Sequence, residues 1–127
     1  MASNEVNHVG FEDMAPLKGE KARLALNTLS HARDWGSELT RLVPSGEAER
    51  LAKVWKGVQD VTAFQGEVVK PFLEALVSQT TDGFQWSQDA GALDTGRLFL
   101  SNHRDIVLDP SLINVVLIGG KDIGPLK

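Results

Sequence analysis

A histidine followed closely by two acidic residues is the most reactive arrangement in the chain. His103 lies between a predicted strand at residues 97–101 and a predicted helix that starts at Pro110, with Asp105 and Asp109 on the connecting segment. A neutral imidazole, whose ordinary pKa is about 6.5, can accept a proton from a hydroxyl group at neutral pH. A carboxylate on its other nitrogen fixes the tautomer and stabilises the imidazolium. His103 is therefore a candidate general base.

The residues beside His103 suggest that an anion binds there. Arg104 can bind a phosphate group through its guanidinium, and the backbone N–H groups at the start of the following helix can bind an anion or hold the loop. The alternative interpretation is structural. In that case His103 and Arg104 cap a turn, and Asp109 is an ordinary helix cap.

The composition and the net charge limit the number of domains and the classes of partner that can be expected. The chain has 127 residues, 42% of them hydrophobic, which suits one domain with a modest core. Its formal net charge of -4 argues against a general nucleic-acid-binding protein. Nine Lys/Arg and fourteen Asp/Glu give residues 1–96 a net charge of -5, whereas four and three give residues 97–127 a net charge of +1. The acidic surplus therefore lies outside the histidine segment.

The sequence predicts a cytoplasmic protein with at most a peripheral membrane contact. It has no cysteine, so it has no thiolate nucleophile, and this agrees with a reducing compartment. The first residues lack the basic and apolar pattern of a secretory signal. No apolar run approaches the roughly 20 residues that span a bilayer.

Hydrophobic periodicity predicts helices in the first two thirds of the chain. Residues 1–16 show no period and are expected to form a flexible arm. A helix is expected from residue 17 to about residue 33, followed by a break at residues 35–37. A second helix is expected over residues 46–58, with Ser45 as its cap.

The clearest predicted helix begins after Asp60, which is a plausible N-cap. Pro71 lies within it and lacks a backbone donor, so a kink near Lys70 or a break into two helices is expected. Apolar residues recur along it at helical spacing and are expected in the core, namely Val61, Phe64, Val68, Phe72 and Leu76, with Val69, Leu73 and Val77 beside them.

Two short strands and a last helix are predicted towards the end of the chain. Residues 84–86 and 97–101 read as strands that pair with each other. Asp109 is the expected N-cap of a helix that continues to Ile118 and is apolar on nearly every side. The predicted fold class is mainly α with a short two-stranded β element.

The segment at residues 101–110, Ser-Asn-His-Arg-Asp-Ile-Val-Leu-Asp-Pro, resembles the first sequence block of the glycerolipid acyltransferases. In this resemblance His103 matches the histidine that acts as general base on the acceptor hydroxyl. The usual family spacing would place the partner carboxylate at position 108, which is Leu108 here. Asp109 lies one residue later and is the expected partner, and Asp105 is the other candidate.

The resemblance implies an enzyme of phospholipid biosynthesis. Such an enzyme transfers an acyl group from acyl-coenzyme A or acyl carrier protein to a hydroxyl of glycerol phosphate or a lysophospholipid. Arg104 would then bind substrate, and no metal or cofactor beyond the acyl thioester is expected. The implied organisation is a flexible arm at residues 1–16, a helical region at residues 17–79 and the truncated start of an α/β acyltransferase domain at residues 80–127.

A second function stays open because the later family blocks are not matched. The family's Phe-Pro-Glu-Gly-type motif, which helps to bind the acceptor phosphate, has no counterpart in this sequence. The alternative is a catalytically incomplete fragment that acts as a non-enzymatic helical interaction module. In that case a homo-oligomer is a further expectation, since the last helix needs a surface to pack against.

Overall fold

The computed structural model describes residue 10 and residues 14–88, 98–102 and 104–119, and these residues are mainly helical, as predicted. We number the α-helices in chain order. They are α1 (Gly19–His31), α2 (Trp35–Leu39), α3 (Ser45–Trp55), α4 (Val61–Phe64), α5 (Lys70–Thr80) and α6 (Leu108–Leu117), and a π-helical turn (Gln65–Val69) joins α4 to α5.

The predicted break at residues 35–37 is wrong, because these residues form the first turn of the short helix α2. Asp34 caps this turn. Its carboxylate accepts hydrogen bonds from the backbone N–H of Ser37 at 3.3 Å and from the Ser37 hydroxyl at 2.7 Å. The cap satisfies donors that a helix start would otherwise leave without a partner. Trp35 adds a bond from its Nε1 to the carbonyl of Leu29, at 2.7 Å.

Helix α3 differs from its prediction at both ends. Pro44 is the N-cap, and Ser45, the predicted cap, is the first helical residue and makes no capping bond. The helix ends at Trp55 instead of residue 58. The buried residues Ala48, Leu51 and Trp55 follow at spacings of three and four, so one face of the helix packs inward.

The predicted cap of the next helix is confirmed. Asp60 accepts a hydrogen bond from the backbone N–H of Ala63 at 2.8 Å, and Val61 is the first residue of α4. Val61 itself is 45% exposed, so its predicted place in the core is wrong.

A π-helical turn at Gln65–Val69 takes the place of the expected kink near Lys70. Pro71 has no N–H, and in a regular α-helix its ring would clash with the carbonyl of Glu67. In the π turn, the N–H of Lys70 reaches the carbonyl of Gln65, five residues back. The extra residue shifts the inward face, so the buried positions are Val68, Leu73 and Val77.

Two groups of buried side chains hold the helices together. The first contains Leu26, Trp55, Val58 and Val68. Trp55 packs in it between Trp35, at a ring-centroid distance of 4.8 Å, and Phe64, at 5.1 Å. The second consists of Leu73, Val77 and Val115, and it fixes α6 against α5.

The predicted two-stranded β element is not seen among the described residues. Residues 84–88 and 98–102 have no regular secondary structure, apart from an isolated bridge at Phe84. Residues 89–97, which connect the two segments, lie outside the described part. An isolated pair of strands is marginally stable unless more strands or a packed helix support it. The alternating pattern of residues 84–86 was therefore not sufficient to predict a strand.

Candidate functional site

The candidate site is the turn that leads into α6. Arg104, Asp105 and Asp109 lie on this turn and on the first turn of the helix. His103 lies outside the described residues. The structure thus brings together the three predicted site residues that it describes.

Asp109 is directed back onto the turn by two hydrogen bonds. Its Oδ2 accepts from the backbone N–H of Arg104 at 2.9 Å and from that of Asp105 at 3.0 Å. Charge-assisted bonds from backbone N–H groups to a carboxylate are stronger than neutral ones. Asp109 therefore fixes the backbone of the residue that follows His103.

The N-cap position of α6 is Val107, and the side-chain bonds to the backbone at the helix start come from Asp105, two residues earlier, and not from Asp109 as predicted. Its Oδ1 accepts from the backbone N–H of Val107 at 2.8 Å and of Leu108 at 2.7 Å. Its carbonyl oxygen accepts from the N–H of Asp109 at 3.3 Å, the bond between residues four apart that starts an α-helix. The prediction of Asp109 as the N-cap is wrong, because Asp109 lies inside the first turn of α6.

The cap was assigned incorrectly because Pro110 suits the first helical position. Pro110 also suits the second or third position, since its missing N–H is among those that a helix start leaves without an intrahelical partner. An aspartate at residue 105 fits the sequence rule for a cap as well as one at residue 109. They are separated by the backbone groups that they bind: Asp105 accepts from the N–H groups of Val107 and Leu108, and Asp109 accepts from that of Asp105.

The segment before His103 is exposed. Leu98 is 85% exposed, Leu100 is 89% exposed, and Ser101 and Asn102 are exposed as well. Arg104, which follows His103 in the sequence, is also exposed, so its guanidinium is accessible to a phosphate group in solution.

An apolar groove of about 310 Å³ runs along α6 beside this segment. It is lined by Phe84, Trp86, Ser87, Gln88, Phe99, Leu112, Ile113, Val116 and Leu117. A neighbouring hollow of about 380 Å³ shares Phe99, Ile113 and Leu117 with the groove and includes Asp109 and Ser101 in its lining. The two form one surface that is apolar at one end and polar at the turn.

The aromatic residues of the groove were not predicted as site residues. Phe84 and Trp86 were assigned to a strand, and the sequence offers only their alternation and their position before the histidine segment as a signal. The groove arises because α6 buries Val115 against α5 while Leu117 and Ile118 each remain 38% exposed.

The described residues contain no group of three or more His, Asp or Glu side chains placed to hold a metal ion. In the same part of the chain, no helix is long and apolar enough to cross a membrane. Among known proteins, no family model, no curated protein and no solved structure matches the chain.

Proposed function

We propose that the segment around His103 is the general-base part of an acyl-transfer site similar to that of the glycerolipid acyltransferases. His103 takes the proton from a hydroxyl of glycerol phosphate or a lysophospholipid. The hydroxyl oxygen bonds to the acyl carbon of a coenzyme A or acyl-carrier-protein thioester, and the carbon–sulfur bond breaks. The proton then passes from His103 to the departing thiolate.

The observation that carries the proposal is the hydrogen-bonded turn directly after His103. A general base must be held in place relative to its substrate, because misplacement forfeits much of the advantage of bringing the reactants together. Asp109 anchors the backbone of Arg104, the neighbour of the proposed base. We assign to the Asp109 carboxylate the orientation of the imidazole.

The surface beside the turn supports a substrate with an apolar chain and a charged head group. The groove along α6 is lined mainly by aromatic and aliphatic side chains, which suit an acyl chain. Arg104 lies exposed at the turn, where it can pair with the acceptor phosphate. The coarse fold, mainly helical, is common to many functions and carries no part of this argument.

A chimera tests the proposal. Residues 98–119 of this chain would replace the corresponding segment of a complete glycerolipid acyltransferase, and transfer from a labelled acyl thioester to lysophosphatidate or glycerol phosphate would be measured. We expect an active chimera in which His103→Ala lowers the rate by about 10² to 10⁴-fold. Leu98→Ala, on a side chain that is 85% exposed and lines neither the groove nor the neighbouring hollow, serves as the control and should stay near the parent rate. A His103→Ala rate within a few-fold of the parent rate would contradict the role of His103 as general base.

A non-enzymatic interaction module is the second candidate, and the exposure of aliphatic side chains favours it. Leu98 and Leu100 are 85% and 89% exposed, and Ile106 and Val107 are 74% and 68% exposed. Contiguous exposed apolar side chains often mark an interaction surface.

Hydrophobic-dye binding and sedimentation of the purified chain test this second function. The double change Leu98→Ser and Leu100→Ser should lower dye binding and any self-association. Leu42→Ser, at a residue that is 50% exposed elsewhere on the surface, should leave both unchanged. Equal effects of the two variants would argue against an interaction surface at residues 98–100.

A further inference from the structure

Two aspartates fix the backbone of the turn before α6, because the carboxylate of each accepts hydrogen bonds from backbone N–H groups of the turn and of the helix start. Asp105 accepts from the N–H groups of Val107 and Leu108, the second and third residues after it. These are the donors that an N-cap side chain satisfies. Asp109 accepts in return from the N–H of Asp105 itself. In a capping box, the side chain of the third helical residue reaches back to the N–H of the cap. The bond from the N–H of Asp105 to Asp109 is similar, except that Asp109 lies four residues after Asp105.

The reciprocal bonds extend to the residue next to His103. Asp109 also accepts from the N–H of Arg104, so the backbone is held on the side of His103 that leads into the helix. The carbonyl of Asp105 accepts from the N–H of Asp109, which ties the two aspartates together through the backbone as well. A change in the position of Asp105 should therefore also move Asp109 and, through the bond to the Asp109 carboxylate, the backbone of Arg104.

We propose that Asp105 is a positioning residue, which holds the segment after His103 through its hydrogen bonds to the backbone of Val107 and Leu108 and through its contact with Asp109. The proposal rests on the proposed function for what is positioned, because it adds a role for Asp105 beside that of the base. It differs from the role assigned to Asp109, where a negative charge stabilises the imidazolium.

The two roles respond differently to loss of charge. A cap requires an acceptor oxygen, and asparagine supplies one about as well as aspartate does. A carboxylate that orients and stabilises a catalytic imidazolium is not replaced by the neutral amide. Asp105→Asn should therefore preserve the turn, whereas Asp105→Ala should release it.

Amide hydrogen exchange of the full 127-residue chain, followed by NMR, tests the cap without any acyl-transfer assay. In Asp105→Ala we expect the N–H groups of Val107 and Leu108 to exchange about tenfold faster. The N–H of Arg104, which donates to Asp109, should also exchange faster. The imidazole ring-proton signal of His103 should move, and Asp105→Asn should restore both readouts.

Two outcomes would overturn the proposal. The first is unchanged exchange at Val107, Leu108 and Arg104 in Asp105→Ala. The second is an Asp105→Asn variant that behaves like Asp105→Ala, since the charge and not the acceptor would then matter. If Asp105→Ala unfolds the chain, the comparison of Asp105→Asn with the parent still shows whether the charge or the acceptor oxygen of Asp105 holds the turn. Neither result depends on acyl transfer, so failure of the proposed function would leave the cap in place, and failure of the cap would leave His103 as the proposed base.

Discussion

At the scale of single residues, helix caps decide how the chain turns. Asp60 could be identified from the sequence because a strongly periodic apolar pattern begins directly after it. The cap of α6 could not, because Asp105 and Asp109 both precede apolar residues and Pro110 is tolerated anywhere in the first turn. Residue type and spacing singled out His103, Arg104 and the two aspartates as candidates, and their functional roles stay predictions. The backbone bonds that each aspartate accepts could be read only from the structure.

The cap at Asp60 leads to a stability prediction. Asp60→Ala should lower the free energy of unfolding by about 1 kcal/mol, because the N–H of Ala63 loses its acceptor. Asp60→Asn keeps an acceptor oxygen and should differ from the parent by a few tenths of a kcal/mol. Urea unfolding of the three proteins measures both values. Equal losses in the two variants would show that the charge, and not the hydrogen bond, provides the stabilisation.

At the scale of elements, Pro71 changes the register of the longest helical stretch. The expected core set included Val68, Leu73 and Val77, which are buried, whereas Phe72 and Leu76 of the same set are only partly buried. The sequence did predict an irregularity at the proline, because the missing donor is a property of the residue. It could not predict a π turn, since a kink and a break remove the same clash.

The register can be tested with two leucines. Leu73 is 5% exposed and contacts Val77 and Val115, so Leu73→Ala should cost about 2–5 kcal/mol of unfolding free energy. Leu76 is only partly buried, so Leu76→Ala should lower the free energy of unfolding by less than Leu73→Ala does. Urea unfolding compares the two. A larger loss for Leu76→Ala would support the uninterrupted α-helical register and contradict the π turn.

At the scale of the whole molecule, a helical core carries an exposed segment and turn at one end. The mainly helical class could be predicted because the periodic segments are long and flanked by caps and breakers. The paired strands could not, because short alternating segments become strands only where partners stabilise them. The groove along α6 was also beyond prediction, since it depends on how α6 packs on α5.

Several surface carboxylates make the stability of the folded protein depend on pH in the acid range. The Ser37 hydroxyl and amide hold the pKa of Asp34 below its ordinary value, and hydrogen bonds from Arg50 and Arg23 lower the pKa of Glu47 and Glu20. A lowered folded-state pKa contributes stability above the unfolded value, which is about 4, and this stability is lost as the pH falls through the folded value.

We therefore expect the urea midpoint to fall between about pH 5 and pH 3, with a shallow slope because Asp34 and Glu20 are exposed and Glu47 is partly exposed. Added salt should reduce the contribution of the pairs with arginine. Asp34→Ala should flatten the acid dependence, and Lys18→Ala, at an exposed residue outside these pairs, is the control. A midpoint that rises on acidification would contradict the linkage.

The most direct test of the account is a double-mutant cycle in the acyltransferase chimera that carries residues 98–119. His103→Ala, Asp109→Asn and the two changes together would be compared by their rates of acyl transfer. The charge of Asp109 is proposed to act through His103, and Asp109→Asn keeps an acceptor oxygen for the backbone bonds. The double variant should therefore be no slower than His103→Ala alone. Losses that multiply in the double variant, or a His103→Ala rate close to that of the parent, would contradict a base at His103 oriented by Asp109.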